Sequence, residues 1–206
     1  MGVKMAITRE SLCNGAMIKL GKKPSIANIT NGTSAEEKVF QSIFDKVIKI
    51  AIRKYRPNCC VARATLTQDP NYVPRWEYKS GYKYPNEMLK LLEVHNDVWD
   101  RQLYPIEGEW ILSFNKKPEP GERADALDIK YLENKQVHFF DEDFANMCEW
   151  ELAVAASPVI DATREALTIA KCNAEADRWS ADNAMENGFI VEDYNPLFDI
   201  TEIVKA

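Results

Sequence analysis

The spacing of apolar residues predicts two helices at the start of the chain. Thr8 can cap a first helix that runs to Leu20. Ser34 and Glu37 form the Ser-x-x-Glu capping box of a second helix, which Pro57 ends. Apolar residues recur at helical spacing along one side of that second helix. They are Phe40, Ile43, Phe44, Val47, Ile50 and Ala51.

The closing part of the chain predicts two more helices. Asp141 can cap a third helix, and Pro158 is expected to break or kink it. A fourth helix is predicted from about Ile160 to Met185, with small apolar residues on two faces. Small residues let helices approach closely, which favours a central bundle helix or a helix shared with another subunit. The candidate packing residues are Ala166, Ala170 and Ala174.

The composition of the middle of the chain is typical of β structure. Prolines, tyrosines and tryptophans concentrate there, and turn signals, such as Ser80-Gly81, separate short runs of strand-forming residues. The predicted strands are Arg75–Tyr78, Leu89–Val94, Trp110–Phe114 and Leu127–Leu132. We therefore predict an α+β chain, in which an antiparallel bundle of about four helices (residues 1–60 and 139–187) carries an inserted antiparallel β subdomain (residues 61–138).

The last segment, residues 188–206, mixes acidic side chains with large apolar ones. It is too apolar for a solvated tail and too short to form its own core. We therefore expect an extended C-terminal arm that docks on a partner. The candidate docking residues are Phe189, Tyr194, Leu197 and Phe198.

Charge adds one feature to this picture. Hydrophobic residues make up 46% of the 206 residues and charged residues 28%, which is ordinary for a globular protein. The net charge of −6 does not favour general nucleic-acid binding. Against it stands a basic stripe on the second helix, roughly opposite its apolar side, formed by Lys46, Lys49, Arg53 and Arg56, with Lys54 and Arg63 nearby. The stripe is either a solvated helix face or a surface for an acidic protein or for DNA passing nearby.

The cysteines and the chain's start indicate synthesis in a reducing cytoplasm. The cysteine count of five is odd, and neighbours such as Cys59 and Cys60 rarely bridge each other, so reduced thiols are expected. The first residues lack the apolar core of a signal peptide, and no run approaches the roughly 18 apolar residues of a membrane span. We therefore expect no membrane association.

Candidate catalytic and metal-binding residues are few. His95 and His138 lack cysteine or histidine at metal-ligand spacing, so no metal or cofactor is predicted. Asp141 and Asp143 are better explained by helix capping than by metal binding.

One pair of carboxylates offers an enzymatic alternative. Glu107 and Glu109 lie beside Trp110 and could form the acid pair of a glycosidase. Strand-edge carboxylates next to a turn glycine, here Gly108, are far commoner without such a role.

Several short motifs between about residues 6 and 186 follow a familiar order. They are Leu12-Cys13-Asn14-Gly15-Ala16, Leu20-Gly21 with Pro24, Ser34-Ala35-Glu36, Tyr82-x-Tyr84-Pro85, Tyr104-Pro105-Ile106-Glu107-Gly108, Ile129-Lys130-Tyr131 and Phe140-Asp141-Glu142-Asp143-Phe144. Their order and spacing resemble the tail tubular protein A family, the head-to-tail adaptors of short-tailed bacteriophages. The chain departs from that pattern at Pro57-Asn58-Cys59-Cys60, where such proteins often carry a Pro-Trp-aromatic step, and after Asn187.

The resemblance implies a structural virion protein without enzymatic activity. Such a protein forms a homo-oligomeric ring, a dodecamer, between the portal and the tail or nozzle protein at the head–tail junction, and double-stranded DNA passes through the ring. Two alternatives stay open: a phage-encoded, muramidase-like hydrolase using Glu107 or Glu109, and a helical interaction module that forms no ring.

Overall fold

The computed structural model of the protein describes residues 6–69, 71–72, 78–94, 104–113 and 126–187, with side chains of the last helix described to residue 181. The described part has four α-helices: α1 (Arg9–Lys19), α2 (Ala35–Tyr55), α3 (Glu142–Ile160) and α4 (Glu165–Asn187). Between α2 and α3 lie the strands β1 (Val61–Thr67), β2 (Ser80–Lys83), β3 (Met88–Val94), β4 (Ile106–Glu107), β5 (Trp110–Ser113) and β6 (Ala126–Glu133). The predicted α+β class is confirmed. The predicted C-terminal arm lies outside the described residues.

Helices α1 and α2 begin directly after the predicted capping residues. The Thr8 hydroxyl accepts a hydrogen bond from the Ser11 amide at 3.1 Å, and Ser34 and Glu37 form the predicted capping box. Gly21 follows α1 with a φ of +72°. Arg56 adopts the left-handed conformation at the end of α2 with a φ of 47°, the position that usually takes glycine.

Helix α3 begins as predicted but does not break at Pro158. Asp141 Oδ1 accepts a hydrogen bond from the Phe144 amide at 2.7 Å, while the helix continues to Ile160. Proline has no N–H to donate to the carbonyl of Val154, and the Ser157 hydroxyl donates to that carbonyl instead, at 2.8 Å. The chain turns at Asp161, so α4 starts five residues later than Ile160, at Glu165.

The strands form two three-stranded antiparallel sheets, in the orders β1-β6-β3 and β2-β5-β4. The strands predicted around Leu89–Val94, Trp110–Phe114 and Leu127–Leu132 correspond to β3, β5 and β6. Residues 75–77 of the remaining predicted strand lie outside the described residues.

The turn predicted at Ser80-Gly81 is wrong, because both residues belong to β2. Gly81 pairs with Leu112, and a Cβ atom there would lie 2.3 Å from Cδ1 of Tyr72. The ring of Tyr72 in turn stacks on Trp110 with a centroid distance of 4.1 Å. Glycine is therefore required at this position by a close aromatic contact within a sheet, and not by a turn.

The first sheet lies between the helices and the second sheet. One core cluster joins the inner faces of the helices to Leu132, with Val61, Leu89 and Leu92 packed against it. A second cluster fills the space between the sheets. It consists of Leu66, Tyr82, Val94, Tyr104, Ile111, Leu127, Ile129 and Tyr131.

Candidate assembly surfaces

The basic stripe, defined as Lys46, Lys49, Arg53 and Arg56, lies on the outer side of α2. All four side chains are exposed, while Phe40 on the inner side is completely buried. Among the described residues, no carboxylate lies within ion-pair distance of the stripe. Most other described cations do have a partner: Arg9, Lys19, Lys22, Lys54, Lys83, Lys130, Lys135, Arg164 and Arg178.

Lys54, which the sequence places near the stripe, lies in the interior instead. Its ammonium group is 2.7 Å from Oε1 of Glu151, and the two side chains are only 5% and 7% exposed. The Tyr55 hydroxyl donates a hydrogen bond to the same carboxylate oxygen. Burial raises the pKa of Tyr55 well above its ordinary value, so the phenol stays protonated and keeps donating.

Apolar periodicity alone does not predict this buried ion pair, but the position of Glu151 in the sequence gives one signal for it. Glu151 follows Phe144 and Cys148 at helical intervals of seven and three residues, so it falls on the buried stripe of α3. A charged residue at such a position needs a partner of opposite charge.

Helix α4 is anchored to this network by one face. The Trp179 indole N–H donates to the carbonyl of Tyr55 at 3.2 Å, and the two rings meet edge to face. Thr168 and Cys172 are buried on the same side, where burial raises the pKa of the Cys172 thiol to about 12. At Trp179, α4 is thus fixed beside the last turn of α2.

The opposite face of α4, defined here as the outer face, carries the three candidate alanines Ala166, Ala170 and Ala174. All three are exposed, and Leu167 between them is 55% exposed. In the single chain these residues do not pack within the bundle, so α4 is not the central helix that the sequence allowed. Their contact with a second subunit stays a prediction.

The two candidate catalytic carboxylates sit at a hairpin turn. Glu107 pairs with Trp110 across β4 and β5, and Gly108 between them has a φ of +59°. Glu109 is 68% exposed and lies 3.1 Å from the ammonium group of Lys83. The acid pair of a glycosidase flanks the substrate in an apolar setting, whereas these two carboxylates lie at an exposed turn.

The remaining predictions concern thiols, metals and membranes. All five cysteines are free, and only Cys59 among them is partly exposed. The described segments contain no cluster of three or more histidine, cysteine or carboxylate side chains suited to a metal ion. Within those segments, no helix combines the length and the apolar character needed to cross a bilayer.

The four docking residues of the arm lie outside the described residues. Comparison with protein-family models and with curated proteins found no match for the chain.

Proposed function

We propose that the protein is a structural virion protein, a head-to-tail adaptor of a short-tailed bacteriophage. Its subunits form a ring that joins the portal to the tail or nozzle protein. In the tail tubular protein A family, which the chain resembles, this ring is a dodecamer. Its mechanism is assembly: the ring bridges two components and lines the channel through which double-stranded DNA leaves the head. Catalysis has no part in this proposal.

The observation that carries the proposal is the outer face of α4. The face places the half-exposed Leu167 among exposed alanines, on a helix whose opposite side is already fixed by Trp179 and Cys172. Covering such a face with a second subunit removes apolar area from water, worth about 25 cal/mol per Å². The small alanine side chains permit close approach of a helix from that subunit.

The basic stripe supports the same function by its charge. A ring would repeat the four exposed cations once per subunit, giving a band of positive charge. Such a band attracts DNA phosphates or acidic protein without reading sequence, and salt weakens the attraction.

The two rivals differ from this proposal in what they require. A muramidase needs Glu107 or Glu109 in a substrate cleft, whereas Glu109 is exposed and paired with Lys83. A non-ring interaction module would use the same surfaces without closing a ring.

The direct test uses DNA-filled heads that carry the portal and lack an adaptor. We expect the purified protein to bind at the portal vertex, to appear there as a ring by electron microscopy, and to make the heads competent to accept tails. The matched variants are Ala170→Glu on the outer face, expected to abolish the ring, and Asn71→Glu on an exposed loop, expected to leave it. Absence of binding at the portal, or release of sugar fragments from peptidoglycan by the protein, would contradict the proposal.

A further inference from the structure

The basic stripe presents four cations that have no carboxylate partner among the described residues, in a chain that is acidic as a whole. The chain has 32 acidic and 26 basic residues. Most described cations outside the stripe form an ion pair with a carboxylate, as Lys19 and Lys54 do. Within the described residues, none of the stripe's side chains is paired. Any carboxylate or phosphate that pairs with them therefore comes from another part of the chain or from another molecule.

One segment beyond the described residues has a clear excess of acid. Residues 188–206 contain the four carboxylates Glu192, Asp193, Asp199 and Glu202 against one lysine, Lys205. The other such segments have little or no excess of acid: 1–5 has one base and no acid, 73–77 has one acid and one base, 95–103 has two acids and one base, and 114–125 has three of each. Charge complementarity thus selects the arm.

Helix α4 contacts the end of α2 that carries Arg53 and Arg56. Trp179 donates to the carbonyl of Tyr55, which lies in sequence between Arg53 and Arg56. From Trp179 the helix continues to Asn187, about 12 Å further at 1.5 Å per residue. The arm's 19 residues can span up to about 60 Å when extended, against the roughly 15 Å between the two ends of the stripe.

The stripe also has apolar neighbours that match the arm. Val39, Ile43 and Ile50 are partly exposed. The two isoleucines lie three or four residues from Lys46 and Arg53, so they share a helix side with these cations. In the arm, Tyr194 directly follows the acid Asp193, and Phe198 directly precedes the acid Asp199. The arm can therefore place carboxylates on the cations while its apolar residues cover the isoleucines.

We infer that the acidic, apolar arm of each chain binds the basic stripe of the same chain. Tethering favours this choice over a second copy, because a short linker holds the two parts at a millimolar effective concentration. The inference concerns the free chain and is independent of the proposed ring. A partner with denser negative charge would take the stripe by displacing the arm.

Carbodiimide cross-linking of the dilute full-length protein tests this contact. The reagent joins a carboxylate to a neighbouring amine as an amide, with loss of water. We expect links from Lys46 or Lys49 to the arm's carboxylates, read by mass spectrometry. The exposed pair Lys83–Glu109, at 3.1 Å, serves as the internal positive control.

Two measurements separate this contact from the alternatives. The first mixes light and heavy-isotope protein, and we expect each cross-link to join two peptides of the same isotope class. Cross-links mainly between the two classes would show that a second copy supplies the arm and would overturn the inference.

The second uses the variant Arg53→Glu, which keeps both reactive lysines. It should lower the yield of the cross-links to the arm about fivefold, by loss of one ion pair. The matched control, Lys79→Glu at an exposed position, should not change it.

DNA binding provides a further check with a duplex oligonucleotide as the probe. Neutralising the arm by Glu192→Gln, Asp193→Asn, Asp199→Asn and Glu202→Gln should strengthen binding to the duplex, because the stripe is uncovered. The matched control neutralises four exposed or partly exposed carboxylates elsewhere that have no ion pair among the described residues: Glu36, Glu87, Glu107 and Glu142. Equal strengthening by both sets, or no arm links while Lys83–Glu109 reacts, would overturn the inference.

Discussion

At the scale of single residues, Glu37 joins the loop before α2 to the helix itself. One of its carboxylate oxygens accepts hydrogen bonds from the amides of Ala27 and Asn28, each at 3.2 Å. The other accepts from the amides of Thr33 and Ser34, at 2.9 and 3.1 Å. These backbone N–H groups, that of Ser34 foremost, lower the pKa of Glu37 to about 2.

The lowered pKa of Glu37 predicts a loss of stability in acid. A carboxylate whose pKa falls on folding contributes stability above its unfolded pKa of 4.5, and this contribution disappears as the pH drops to about 2. We expect Glu37→Gln to lower the melting temperature at pH 7 and to match the wild type near pH 2. Thermal melts followed by circular dichroism across this range measure it. The control is Glu36→Gln in the same helical turn; an equal effect of both variants would contradict the assignment.

The buried pair Lys54–Glu151 gives a second prediction at this scale. Lys54→Met leaves the Glu151 carboxylate buried without its cation, and we expect a loss of about 3 kcal/mol in the free energy of unfolding. The double variant Lys54→Met/Glu151→Leu should recover much of that loss, since neither charge is then buried. Urea denaturation measures both. Lys49→Met, on the exposed stripe of the same helix, is the control; a similar loss there would refute the distinction between the two lysines.

The residue motifs of the sequence have specific structural roles. Asn14 donates to the carbonyl of Ile26 and accepts from its amide, both at 2.9 Å, so it fixes the loop after α1. The capping part of Glu37 was predictable, because its box is a local pattern. Its bonds to Ala27 and Asn28 were not, because they depend on the path of that loop.

At the scale of elements, the helices were easier to predict than the strands. Capping residues mark the helix starts, whereas β1 and β2 carry weak strand signals. In β1, Ala62 and Ala64 face the sheet core, and alanine has a low strand propensity. In β2, the dipeptide Ser80-Gly81 is typical of a turn. The reason for the glycine is instead the close approach of the Tyr72 ring, which the local sequence does not reveal.

The two sides of the helix pair α3 and α4 should respond differently to added bulk. Ala156 of α3 is completely buried, so Ala156→Leu should cost about 1–3 kcal/mol in folding stability by overpacking. Ala170 is exposed, and Ala170→Leu should change the stability of the single chain by no more than about 0.5 kcal/mol. Thermal melts of both variants, and ring formation on portal, measure the difference. We expect Ala170→Leu to lose the ring; a normal ring would show that the outer face of α4 is solvated.

At the scale of the whole molecule, the arm is the part that the sequence marks for a partner. Deleting residues 189–206 should leave the helical circular dichroism nearly unchanged, because α1 to α4 and their core lie before it. The same deletion should abolish attachment to filled heads, since the arm's apolar residues are then missing. Infectious particles at wild-type level from the truncated protein would rule out this role of the arm.

Above all, we propose that subunits of this protein assemble into a ring when they bind the portal. Native mass spectrometry of the full-length protein, alone and mixed with purified portal, is the test of this assembly. We expect a folded monomer or small oligomer alone, and a complex that carries a closed ring of subunits when portal is present. A stable monomer whose mass is unchanged by portal would show that the protein is not a portal-bound adaptor.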